Sequence, residues 1–446
     1  MEENIKVYSY PDGEIQRVQT VRLDSWQQLE FLRPAPSDSA LMRFADIYRR
    51  YLVPACPWLF GNMVMFRLPE DLEMEIPLDT PYGRLADRLI AAAAALRKGV
   101  TVSGGKPLFK RKTARELWQA LESRNCLQIV RGKLPVTQII PVGELCGYLT
   151  DAAPEAALKV NASFFIMDKF DCATVYDQIG TPLGLLVKDG LVENPPLFGR
   201  EALLVKHDGT VGVKALDIRE LGVETGGTCY RAGENAAFYT RPERSHTPAV
   251  KGKKLIVIGN RVAAVSEKPS VSIPASGFVL CIPGECAVKP GDRVTYRGLE
   301  NVRFGIQVGN SILRNGEKTM AFLSRFYNIY KLQPVPFPPS LYPMDFRGAR
   351  AARIALGADA EGKPMVLWAE GAAKIGHTPG LDSRGATLED MAHFCTDAGM
   401  LHAVNLDGGG SAQMLIHGRR SLQLSDRDPV AGEEVQRPVP LALIVR

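Results

Sequence analysis

Asp407 is followed by Gly408, Gly409 and Gly410 and then by Ser411, in the stretch AVNLDGGGSAQMLI. Three consecutive glycines cost backbone entropy on folding, so the bare backbone has to serve some purpose. Glycines let backbone N–H groups approach a ligand closely, and successive N–H groups in such a loop can cradle an anion. Ser411 adds a hydroxyl. The stretch therefore offers a carboxylate beside an anion cradle. A tight turn with Asp407 as its cap accounts for the same residues without any ligand. A Walker-type phosphate loop is excluded, because no lysine follows the glycines.

Three other positions join this one as candidates. Arg353 opens the otherwise apolar run Ile354–Leu356, and an arginine there needs an anionic partner. Glu370 ends the run PMVLWAEG and supplies a second carboxylate, although a salt bridge would explain it equally. Asn161 ends a short apolar run just before Phe164 and Phe165. Its amide could bind a ligand, orient a carboxylate, or hold a turn, and the two phenylalanines read as core. Arg384 and Arg437 are weaker candidates. His377, His393 and His402 fit no ligand spacing, so no metal ligand set and no cofactor is read. The SGGK of VTVSGGKPLFKRK lacks phosphate-loop spacing and reads as a surface connector.

These groups must be positioned by strands. From about Cys126 short β-type runs alternate with Gly, Pro and Asp turns: LQIVRG, LGLLVKDGLVE, ALLVKHDGTVGV, KKLIVIGNRVAAV and SGFVLCIPG. RIALGAD turns through AEGK into PMVLWAEG as a hairpin, and HAVNL is a strand that delivers Asp407 at its carboxyl end. TLEDMAHFCTDAG reads as a helix, with Thr387 and Asp390 as a capping box and Gly399 as its stop. Helical spacing also appears in DSALMRFADIYRRYL, YGRLADRLIAAAAALRKG and TARELWQALES, all before residue 125. The run 330–346 is Pro-rich and predicts an extended surface loop. The expected fold class is α+β: a large mixed or antiparallel sheet with flanking helices, a strand-rich insertion at about 215–300, and a mixed N-terminal region. The expected division is residues 1–125 as a region of unassigned role and 126–446 as one domain.

Composition sets outer bounds. The 446 residues are 46% hydrophobic and 23% charged, as in ordinary globular proteins. A net charge of +5 permits an anionic substrate without arguing for nucleic acid, and the basic run KPLFKRKTAR lacks interleaved aromatics. The longest plain apolar run, LIAAAAAL, is far short of a membrane span. The acidic, polar start has no apolar signal segment, and the eight cysteines form no CxxC pair. The expectation is a cytoplasmic protein with reduced thiols, and neither membrane nor nucleic acid as partner.

The chain resembles the phosphodiester glycosidase family, which has many bacterial members. AVNLDGGGSAQM is similar to that family's signature, and further segments match in order: KVNASFF, GTPLGLLVKDGLV, GIQVGNSILRNGE, RIALG, VLWAEG, SRGATLEDMAHFCTDAG and the closing QRPVPLALIV. The resemblance covers about residues 126–446. Departures fall at Ala162 and Ser163, where the family has two glycines, at Glu370, where it has aspartate, and at Ala372, where arginine is usual. The resemblance implies a hydrolase that cleaves a sugar-1-phosphodiester or related glycosidic bond through an oxocarbenium-like transition state, with a carbohydrate or sugar-phosphate as its partner. Asp407 and Glu370 would then be the catalytic carboxylates, and Asn161, Arg353, Gly408, Gly409, Gly410 and Ser411 would bind substrate. The changed positions keep a second reading open: a non-catalytic member that binds a phosphorylated glycan or acts as an interaction scaffold.

Overall fold

The structure is a computed structural model. It describes residues 1–34, 146–166, 173–319, 349–372, 377–427 and 434–446, a few single positions excepted, and the backbone of six short strands between 41 and 141. The predicted helices within 82–99 and 113–123, the run KPLFKRKTAR and the Pro-rich run 330–346 lie outside the described residues. So does most of the predicted helix 38–52, within which Leu41–Arg43 is a strand paired with Glu75–Pro77.

A seven-stranded sheet is built from β1 (Glu2–Ser9), β2 (Ile15–Arg22), β5 (Ser311–Arg314), β6 (Glu317–Lys318), β7 (Arg353–Asp359), β8 (Pro364–Ala369) and β9 (Met400–Asn405). Its order is β1-β2-β8-β7-β9-β5-β6, every pair antiparallel. A four-stranded antiparallel sheet faces it, made of β3 (Leu29–Leu32), β4 (Leu158–Asn161), β10 (Met414–Ile416) and β11 (Ala442–Val445) in the order β10-β4-β11-β3.

Period-two alternation sorts the side chains of the central strands. Ile354, Leu356, Val366, Trp368, Val404 and Leu406 point into the space between the two sheets, against Val160, Met414 and Leu443. Ala355, Leu367 and Ala403 point the other way, beneath α1 (Leu388–Asp397), which lays Met391, Ala392, Phe394 and Cys395 on them. Strands β7 and β8 are therefore buried at every position, which is why both read as unbroken apolar runs. The capping box of α1 is formed: Thr387 Oγ1 accepts from the Asp390 N–H, and the Asp390 carboxylate accepts from the Thr387 N–H.

The first 34 residues, grouped with 1–125 in the sequence reading, supply β1, β2 and β3 to these same two sheets. A five-stranded sheet of residues 186–188, 191–194, 200–206, 211–216 and 302–307 packs beside them through Leu203, Val205, Phe304 and Ile306. Within 215–300 the chain forms two further antiparallel sheets, on a core that includes Val223, Leu255, Phe278 and Tyr296.

The α+β expectation with flanking helices is corrected. The described residues are mostly strand in several antiparallel sheets, and α1 is their one α-helix. The reason is legible in the residues: outside 387–399 the described chain carries short alternating or unbroken apolar runs cut by Gly and Asp turns, and these close hairpins. Among the described residues no helix is long and apolar enough to cross a membrane.

Candidate active site

Strand β9 ends where the chain changes sheets. The Leu406 N–H donates to Ile354 O in the first sheet, and the Asp407 N–H donates to Ala162 O beside the second. The next residues make a short 3-10 turn, Gly409–Ser411, that leads into β10. The glycine loop is the junction between two layers, and each glycine meets a different demand. A Cβ on Gly408 would lie 2.6 Å from Ala352 O, and one on Gly410 would lie 2.1 Å from Asp426 Oδ2. Gly409 has open space around it but a φ of +58°. The Gly408 N–H donates to Asp407 Oδ1 at 2.9 Å, the Gly409 N–H to Ala352 O at 2.8 Å, and the Ser411 N–H to Gly408 O. Three amides of the predicted anion cradle are thus satisfied within the protein.

Asn161 lies against this loop across a sequence separation of 246 residues. Its Nδ2 donates to Asp407 O at 2.8 Å, and its Oδ1 accepts from the Gln413 N–H at 2.9 Å. The amide grips the loop at both ends, so Asn161 positions Asp407.

Asp407 itself is 5% exposed, and its Oδ2 has no hydrogen-bond partner. Burial pushes its carboxyl up to about 6, against the Ser411 hydroxyl, Arg437, the Gly408 N–H and Arg353, which all favour the charged form. Arg353 is nearly as buried. Its Nε donates to Ala386 O at 3.3 Å and its Nη2 to Ala349 O at 2.9 Å. Burial pulls its guanidinium down to about 10, partly offset by the charge of Asp407. Arg437 grips Asp426 Oδ2 through Nε and Nη2, at 3.0 and 2.7 Å, and donates from Nη1 to Ser411 Oγ at 3.3 Å.

Glu370 reaches the same end of the sheet by strand register. Ala369 pairs with Arg353, and a Cβ on Gly371 would meet the Ala352 N–H at 2.8 Å. Its carboxylate is engaged on both oxygens: Oε1 accepts from the Gln423 N–H at 2.7 Å, and Oε2 accepts from Arg17 Nη1 at 3.0 Å and from the Ser383 hydroxyl. The structure therefore gathers Asn161, Arg353, Gly408–Ser411, Asp407 and the Glu370 backbone at one end of the two sheets. It also separates the two carboxylates in kind, one saturated with donors and one with an open oxygen.

His377 pairs with Glu14, and His393 packs on Tyr8 and Phe394. Among the described residues no group of three His, Cys, Asp or Glu is gathered as a metal site requires. Two participants escaped the sequence reading. Arg17 lies 353 residues before Glu370, and nothing local marks it. Asn405 is 1% exposed, with Oδ1 and Nδ2 both unpartnered. It stands two residues before Asp407, so a period-two reading of HAVNLD could have found it.

Residues 285–446 match the family model described as phosphodiester glycosidase. A mouse protein named N-acetylglucosamine-1-phosphodiester alpha-N-acetylglucosaminidase is 29% identical over 175 residues, which are 34% of this chain and 32% of the mouse protein. The human protein of that name is 34% identical over 76 residues, 17% of this chain and 13% of its own length. This chain thus spans about a third or less of the length of these relatives. Among solved structures, the catalytic domain of the zebrafish protein of that name, auto-inhibited by its pro-peptide, aligns with a TM-score of 0.39 at 13% identity, covering 100% of this chain and 82% of that one. The segment that holds Arg353, Glu370, Asp407 and Arg437 is one that matches the phosphodiester glycosidase family, as the motifs indicated.

Proposed function

We propose that this chain is a hydrolase that cleaves a sugar-1-phosphodiester between the anomeric carbon and the phosphate oxygen. The observation that carries the reading is Asp407: a buried carboxylate with an open oxygen and two arginines close by, within the family-matched segment. Asp407 in its charged form attacks the anomeric carbon or takes a proton from the attacking water, and it balances the positive charge that grows on the sugar. The leaving phosphate monoester has a second pKa near 6, so its departure needs little help from an acid. Neutralising its charge matters more, and Arg353 is the guanidinium beside Asp407 that does so.

Glu370 carries a different duty. Its three donors tie Arg17, the Ser383 loop and the Gln423 backbone together beside the site, so its charge holds these segments in place. Ala162 departs from the family pattern without harm to the arrangement, because its part is to offer a backbone carbonyl to the Asp407 N–H.

The test is a turnover screen of aryl and nucleotide esters of hexose 1-phosphates, with wild-type protein and Asp407→Asn. Turnover by the wild type that falls by orders of magnitude in the variant is the expected result. Saturable binding of the same esters without turnover would favour a glycan-binding member instead.

A further inference from the structure

We propose that Asn405 is the sugar-recognition residue of this site, its amide holding hydroxyls of the sugar beside the bond that Asp407 attacks. This rests on the hydrolase reading above.

A side-chain amide carries two donor hydrogens and an oxygen with two lone pairs. Buried amides nearly always find partners, because an unmade hydrogen bond away from water is costly. Asn405 is 1% exposed and has no partner on either atom. Its neighbours Val404 and Leu406 face the core between the sheets, so its side chain leaves the strand on the other side. There the chain has made room for it. Gly309 donates its N–H to Asn405 O at 3.0 Å, and a Cβ on Gly309 would lie 2.8 Å from Asn405 Nδ2 and 3.0 Å from Phe164 Cε2. The amide and the half-buried Phe164 ring thus both press against the bare Gly309 backbone, which leaves no room for a Cβ. Two other buried oxygens nearby are unpartnered as well: Asp407 Oδ2, two residues along the strand, and Ser163 Oγ, next to the Ala162 carbonyl that holds Asp407.

A phosphate offers acceptors only and would leave Asn405 Oδ1 facing lone pairs. Neighbouring hydroxyls offer donors and acceptors together, and the C–H face of a sugar ring packs on the electron-rich face of an aromatic ring. The pairing of amide and ring therefore assigns the sugar to this side and leaves the phosphate to Arg353.

The experiment compares wild type with Asn405→Leu, which keeps the shape and removes both polar atoms. Each protein is assayed on phenyl esters of hexose 1-phosphates and on their 2-deoxy and 3-deoxy counterparts. The expected result is a loss of kcat/KM on the order of a hundredfold with melting temperature unchanged or raised, since an unpartnered buried polar group has been removed. At least one deoxy substrate should be penalised by the wild type and not by the variant. Equal deoxy penalties in both proteins, or activity and melting temperature falling together, would overturn the proposal. If the wild type turns over none of the esters, the hydrolase reading fails by itself. Calorimetry with hexose 1-phosphates then decides on Asn405: weaker binding by the variant supports it, and equal or absent binding sinks it.

Discussion

At the scale of single residues, Asp407 couples stability to pH through one proton. Its carboxyl titrates near 6 in the folded chain, against about 3.8 as its ordinary value. Between those values the folded state binds more protons than the unfolded state, so stability is highest below about pH 4 and falls as pH rises through 6. The loss is about 3 kcal/mol at most. Asp407→Asn should therefore melt higher than wild type at pH 7, and the difference should vanish by pH 4 in a series of melting curves. Under the proposed function the charged form carries the chemistry, so turnover by the wild type should fall on the acid side with a midpoint near pH 6. A variant that melts at the wild-type temperature at both pH values would deny the buried charge. Arg353→Lys is predicted to lower kcat/KM about tenfold to a hundredfold and to reduce stability by about 1–2 kcal/mol. One ammonium cannot span the separate carbonyls of Ala386 and Ala349 that the guanidinium reaches. The sequence disclosed Asp407 and Arg353 because each breaks a local rule, a carboxylate before bare backbone and a cation in an apolar strand. It concealed what Asn161 does, because an amide that clamps a loop and an amide that binds a sugar look alike until both partners are seen.

At the scale of elements, the glycine loop is a joint between sheets, and its three glycines are unequal. Gly408→Ala presses a methyl onto the backbone oxygen of Ala352, which sits in the wall of the site and cannot swing away. Gly409→Ala meets only open space and pays for its left-handed backbone alone. Denaturant titrations should show Gly408→Ala destabilised by about 2–3 kcal/mol and Gly409→Ala by about 1–2 kcal/mol. The reverse order would mean that the loop can shift as a body. Element types were legible where the pattern was strong. RIALGAD, PMVLWAEG, HAVNL and the capped helix stand where they were read, each with its own turn or cap in the sequence. Sheet order was not legible, because pairing β8 with β2 or β4 with β11 depends on which apolar faces meet in space.

At the scale of the molecule, the family-matched segment and the folding unit differ. Residues 285–446 contain β5–β11 and α1, yet β8 takes its outer neighbour from β2, and β10 and β11 both pair with β4. Expressed alone, 285–446 should show no cooperative unfolding, and deleting residues 1–34 from the full chain should abolish the cooperative transition or lower its midpoint sharply. A cooperative melt from 285–446 alone would show that the segment carries a complete core. The resemblance pointed to candidate residues and was silent on this dependence, since motifs mark chemistry and strand partners leave little trace in a sequence. The same long-range pairing sets a timetable for biosynthesis. Arg17 precedes Glu370 by 353 residues. At about 5–20 residues per second, the first hairpin waits roughly 20–70 s on the ribosome before its partner strand exists. During that interval Val18 and Val21, buried in the finished protein, lie open on a nascent chain. The architecture that encloses Asp407 so thoroughly thus makes the newborn chain dependent on whatever shields it until the last strand emerges.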